Sequence, residues 1–224
     1  MTVEQIRGFL DQSIKRNHSW RRIRLSGGEP TVHPDFLEIV DMLIEYKNQH
    51  SPKTELEVNT NGSGKRVKAI VEQLPSVIKI NDTMKEGLDT PMTPYYFRAF
   101  NMAPSDDPKY ADRVEYSNAC RTPEYCGIGL NGSGFFPCVV AAGIDRVMGW
   151  EMGREEIPDN DDDMLEELRK FCKVCGHFKR EPCDQLTEAT QSPVWEQGYE
   201  NWRQHLVPLT LKNGQSQPNS SADS

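Results

Sequence analysis

The chain has 224 residues, 36% of them hydrophobic, and a formal net charge of −8. That length suits one fair-sized core, or a partial barrel with a small appendage, and the acidic balance argues against general nucleic-acid or membrane-surface binding. No stretch approaches the roughly 18 apolar residues of a membrane span, and no export signal is visible. Six cysteines in such a chain point to a reducing, cytoplasmic setting, where thiols serve metal or redox chemistry rather than disulfides.

In chain order, Thr2 with Gln5 matches a capping box, and Val3, Ile6, Leu10 and Ile14 recur at helical spacing. A strand follows over about 22–25. The next helix, opened by Pro34-Asp35-Phe36 with the proline allowed in its first turn, carries Phe36, Ile39, Val40 and Leu43 on one face. A second strand, over 55–59, ends at the turn sequence Asn61-Gly62. Val67, Ile70, Val71 and Leu74 form another i, i+3, i+4, i+7 stripe, stopped by Pro75, and Val77, Ile78 and Ile80 make a third strand. This alternation predicts parallel pairing with helical crossovers.

Beyond Asn81 the regularity fails. Pro91, Pro94, Pro104 and Pro108 leave room for about one further strand–helix unit before residue 119. The segment 127–138, GIGLNGSGFFPC, then reads as a hairpin, its reversal favoured by Asn131-Gly132 and Gly134. The acidic run 159–163 reads as the N-terminal side of a helix carrying Leu165, Leu168 and Phe171 rather than as a metal site. Trp195, Tyr199, Trp202 and Leu206 space as one helical face that packs on the protein's own body, despite Gly198. Residues 212–224 lack apolar content and read as a disordered tail.

The most informative segment is Leu25-Ser26-Gly27-Gly28-Glu29-Pro30, at the end of the first strand. Paired glycines there let a ligand approach the backbone with no Cβ in the way, and a glutamate adds a carboxylate at the same edge. The stretch 25–35, LSGGEPTVHPD, resembles the Gly-Gly-Glu segment of radical S-adenosylmethionine (SAM) enzymes, as does its pairing with Asn59-Thr60-Asn61-Gly62 after the next strand. Barrels of this type place their active sites at the C-terminal ends of the strands. The resemblance implies that backbone groups around Gly27 and Gly28, with Glu29, contact the methionine amino group of SAM. It implies that Asn59, Thr60 and Asn61 line the same rim and that Asn81 reaches the ribose. Asparagines also form turns with no ligand present. His33, near this rim, reads as a helix-entry residue.

The cysteines form two triplets, Cys120-x5-Cys126-x11-Cys138 and Cys172-x2-Cys175-x7-Cys183. Thiolates are soft ligands suited to iron–sulfur clusters or zinc, and four suffice for either. Cys172 and Cys175 chelate one centre across a two-residue turn, Cys138 at the hairpin's end supplies a third ligand, and Cys126 or Cys120 completes the set. The arrangement resembles the SPASM and twitch modules that follow the barrel in many radical SAM enzymes and carry auxiliary clusters. Cysteines expected of a SPASM module beyond Cys183 are absent, which favours one auxiliary 4Fe–4S cluster. Zinc in the same ligands is the rival metal.

The fold class expected is α/β. It is an incomplete radical-SAM-type (β/α) barrel over 1–118, a small cysteine-rich auxiliary-cluster module over 119–190, a C-terminal helix over 191–211 and the tail. Complete family members bind SAM to a 4Fe–4S cluster held by a Cys-x3-Cys-x2-Cys motif, and residues 1–24 contain no cysteine. Such enzymes generate a 5′-deoxyadenosyl radical that abstracts hydrogen from a peptide or small-molecule substrate, with an electron donor such as a flavodoxin or ferredoxin. Three expectations remain open. The chain is the trailing part of such an enzyme, a non-catalytic iron–sulfur or zinc-binding accessory protein, or a half completed by another polypeptide.

Overall fold

The computed structural model describes residues 1–82, 101–110, 112–113, 115–117, 120–178 and 192–213. The chain divides into two compact units, Met1–Pro91 and Met92–Ser224. No helix among the described residues is long and apolar enough to cross a membrane.

The first unit is α/β. Helix α1 (Val3–Lys15) starts at Thr2, whose hydroxyl accepts the Gln5 N–H while the Gln5 side chain accepts the Thr2 N–H, the reciprocal capping box that the sequence spells. Strand β1 (Arg22–Leu25) leads through the glycine loop to a 3-10 turn, Pro30–Val32, and then to helix α2 (Phe36–Gln49). Pro34 lies before the Asp35 N-cap, outside the helix whose first turn it was expected to occupy. Strand β2 (Glu55–Thr60), helix α3 (Lys65–Val71) and strand β3 (Ile78–Asp82) complete the unit. Helix α3 stops before Leu74, and of its stripe only Val67 is buried.

The strands form one parallel sheet in the order β1-β2-β3. The register sets Ile23, Leu25, Leu56, Val58, Ile78 and Ile80 on one face and Arg24, Glu57, Asn59, Lys79 and Asn81 on the other. Phe9 and Leu10 of α1, Phe36, Val40 and Leu43 of α2, and Leu56 and Val58 of β2 are all buried. Each such side chain contributes about 1.5–3 kcal/mol when fully buried.

In the second unit, helix α4 (Thr122–Cys126) precedes the antiparallel hairpin of β4 (Gly129–Asn131) and β5 (Gly134–Phe136). The hairpin is the one its turn residues predict. Gly134 is required twice over: its φ is +124°, and a Cβ would lie 2.4 Å from the Arg154 carbonyl oxygen. That carbonyl accepts the Phe135 N–H across a bridge. Helices α5 (Val139–Met148), α6 (Leu165–Val174) and α7 (Pro193–Asn213) follow. Trp195 is fully buried in α7, its indole N–H donating to the Val174 carbonyl at 2.7 Å. With Phe136, Ala141, Ile144 and Phe171 it makes the core of this unit.

The acidic run has a structural use. Asp162 accepts from Arg154 and from the Met164 N–H, Asp163 accepts the Leu165 N–H, and Arg154 also reaches Glu167 inside α6. Of the stretch 81–118 expected to hold about one further strand–helix unit, residues 83–100 lie outside the described residues, as do Cys183 and 214–224, while 212–213, expected in the tail, end helix α7.

Candidate functional site

The glycine loop stands at the C-terminal end of β1. Gly27 and Gly28 have φ of +103° and +58°, and a Cβ on either would meet nothing within 4 Å. Backbone conformation requires these glycines, and among the described residues nothing fills the space above them. A ligand therefore finds unshielded peptide groups at a parallel-sheet edge.

Glu29 holds this loop in place. Its Oε1 accepts the Thr31 N–H at 3.2 Å and the Thr31 hydroxyl at 2.7 Å, its Oε2 accepts the Asn61 N–H at 2.7 Å, and the Thr60 hydroxyl lies 3.0 Å from both oxygens. Four donors fill the about four lone-pair sites of a carboxylate. Burial pushes its pKa up, but the bonds from Thr31, Asn61 and Thr60 outweigh it and keep Glu29 below the usual carboxylate range. Glu29 thus ties the end of β1 to the end of β2.

Asn59 and Asn81 stand side by side on the polar face. Asn59 Nδ2 donates to the Ser26 hydroxyl at 3.2 Å, and its Oδ1 accepts from Asn81 Nδ2 at 3.1 Å. Asn61 Oδ1 accepts the Ser63 N–H at 2.8 Å, an Asx turn. His33 has the helix-entry role its position implies: Nδ1 accepts the Asp35 N–H, which leaves the proton on Nε2 to donate to the Met1 carbonyl at 2.8 Å.

The second cluster lies wholly in the other unit. Cys120, Cys138, Cys172 and Cys175 line one small cavity together with His177, backed by Ile144 and Phe171. Each cysteine comes from a different local setting. Cys120 precedes α4, Cys138 is the N-cap of α5, Cys172 sits in the last turn of α6, and Cys175 is its C-cap. Cys126 is exposed at the end of α4 and does not line the cavity. Among the described residues, no three His, Cys, Asp or Glu side chains stand as placed in an arrangement that could hold a metal ion.

The donor chemistry nonetheless suits a soft cation. Cys138 Sγ accepts the Ala141 N–H at 3.4 Å at the start of a ten-residue helix, and the His177 N–H points to the Cys175 sulfur. Such N–H···S contacts favour thiolate. Burial opposes it: the Cys172 thiol is pushed up to about 12, helped by the neighbouring Cys120 and Cys138, and burial raises Cys138 and Cys175 as well. A bound cation reverses that balance, since coordination deprotonates a thiol outright.

Of the residues proposed from sequence, Gly27, Gly28, Glu29, Asn59, Asn61 and Asn81 gather at one sheet edge, and Cys120, Cys138, Cys172 and Cys175 gather at one cavity. Sequence reasoning missed the Thr31 and Thr60 hydroxyls on Glu29, His177 at the cavity, and the charged group around Glu57. The strand alternation RIRL, ELEVNT, IKIND carried the signal for the last of these.

No family model, no curated protein and no solved structure matches the chain.

Proposed function

We propose that the chain is a radical SAM family protein, with a SAM-binding edge at Gly27, Gly28 and Glu29 and one auxiliary 4Fe–4S cluster on Cys120, Cys138, Cys172 and Cys175. The observation that carries this reading is the convergence of those four cysteines on one cavity, with Cys126 exposed and close enough to Cys138 to act on its charge but not among the lining residues. It is also the reason to choose Cys120 over Cys126 as the fourth ligand. The parallel sheet with a glycine loop at its C-terminal edge supports the family's barrel as the parent architecture.

In this reading the peptide groups of Gly27 and Gly28 bind the methionine end of SAM. Glu29, already accepting from four donors, acts through the loop it fixes. Asn59 lines the same rim, and Asn81 at the end of β3 is the residue placed for the ribose. The cluster supplies one-electron chemistry or a substrate contact when bound. Reductive SAM cleavage needs three further thiolates of the Cys-x3-Cys-x2-Cys kind, which residues 1–24 do not contain.

Anaerobic reconstitution tests the reading. The expected product is about four iron and four sulfide per chain, with no SAM cleavage by this polypeptide under reduction. Cys126→Ala retains the cluster, and Cys120→Ala and Cys175→Ala lose it. Stoichiometric zinc without sulfide would replace the cluster with a zinc site, and retention in Cys120→Ala with loss in Cys126→Ala would reverse the ligand choice.

A further inference from the structure

The polar face of the sheet concentrates charge around one residue of β2. Glu57 lies at the centre of β2 with its side chain wholly buried. Its Oε2 accepts from Arg24 Nε at 2.7 Å and Nη2 at 2.6 Å, from Asn81 Nδ2 at 3.1 Å, and faces Arg22 Nε at 3.6 Å; its Oε1 accepts from Lys79 Nζ at 2.9 Å. Burying an ionised carboxylate is costly unless it is paired, and here it is over-paired. Arg24 and Lys79 alone bring two positive charges to one negative charge.

Their bonding capacity is also incomplete. A guanidinium offers five N–H donors and an ammonium three. Glu57 takes Arg24 through Nε and Nη2 and Lys79 through one bond, so Arg24 Nη1 and the other Lys79 donors meet no protein acceptor among the described residues. Both side chains reach solvent, at 29% and 64% exposure. Glu57 therefore works as an internal brace. It orders two cations side by side without using up their donors.

We infer that Arg24 and Lys79, braced by Glu57, form a binding site for a compact anion, a carboxylate or phosphate group. On the radical SAM reading, on which only this role rests, the anion belongs to the substrate. Asn59 lies two residues along β2 from Glu57, about 7 Å at about 3.3 Å per residue. Asn59 in turn bonds Ser26 of the glycine loop, and Asn81 joins Asn59 to Glu57. An anion held at Arg24 and Lys79 is thus one short step below the proposed SAM edge, at the distance of an anchor rather than of a reacting atom.

The test uses the full chain, labelled with 15N, titrated in parallel with inorganic phosphate and with glutarate while the Asn59 and Asn81 side-chain amides are followed by NMR. Saturable shifts are expected, and the tighter of the two probes assigns the anion class. Lys79→Gln, at an exposed side chain that leaves the core intact, weakens binding about fivefold, the size of a partly exposed charge pair. Glu57→Gln, which removes the carboxylate that orders the two cations, weakens it as well. Shifts that fail to saturate with both probes, or affinity unchanged in Lys79→Gln, overturn the inference even if Glu57→Gln does not fold. Lys65→Gln on α3 serves as the charge control and leaves affinity unchanged. Cluster content is measured on the same sample: anion binding without a cluster removes the radical SAM reading and leaves the site, and a cluster without anion binding does the reverse.

Discussion

Glu29 shows how a single carboxylate can fix the loop that carries it. Its carboxylate draws in two hydroxyls and two backbone N–H groups from either side of the sheet edge. An amide in its place presents one acceptor oxygen and puts an NH₂ against donors. Glu29→Gln is therefore expected to cost about 1.5–3 kcal/mol, the range for a charge-assisted bond, read as a lowered urea midpoint with an unchanged m-value. The glycines before it act by a different route. No neighbour crowds either position, so Gly27→Ala destabilises only through its φ of +103°, by about 1–2 kcal/mol. If the same substitution proved neutral, the loop would not need the conformation seen here.

Among the elements, the strands carry the most chemistry per residue. Burial alone would raise the Glu57 pKa, but the bonds from Lys79, Arg24 and Asn81 hold it at about 2, against an ordinary 4.5. A folded-state pKa below the unfolded one means stability that is fully present above pH 4.5 and is lost as pH falls toward 2. The span corresponds to on the order of 3 kcal/mol. Unfolding monitored between pH 5 and 2 should therefore show a steep loss in the parent chain and a flatter profile in Glu57→Gln. Parallel profiles would mean that Glu57 is not held ionised by this group.

The helices and strands of the first unit were legible because their periodicities are clean: Phe36, Ile39, Val40 and Leu43 at helical spacing, and apolar alternation in β1, β2 and β3. The 3-10 turn at Pro30–Val32 was not, because the Glu29 carboxylate that caps it bonds partners about thirty residues away as well as locally. Helix α3 is shorter than its stripe because Ile70, Val71 and Leu74 are only partly buried, so little tertiary packing extends a weak helix. The cysteine cavity was legible as a donor set but not as a ligand choice. Spacing cannot say that Cys120, two residues before α4, lines the cavity while Cys126, its last residue, is exposed.

At the scale of the whole molecule, the chain divides into two compact units and the proposed cofactor ligands are divided between them. The core around Phe136, Ile144, Phe171 and Trp195 packs directly behind the four cysteines, whereas Leu43, Leu56 and Val58 lie in the other unit. A metal centre absent from the unfolded chain contributes its binding energy to folding, and only to the part whose opening would release it. In the proposed cluster, four thiolates drawn from the start of α5, the end of α6 and the segment before α4 would cross-link those elements, so their local opening would become costlier on loading. Hydrogen exchange measured by mass spectrometry on cluster-loaded and cluster-free chain should show slower exchange in peptides covering 138–148 and 165–175. Peptides covering 39–46 and 56–60 should be unchanged. Equal protection gained in β2 would show that the sheet and the cysteine cavity open as a single cooperative unit.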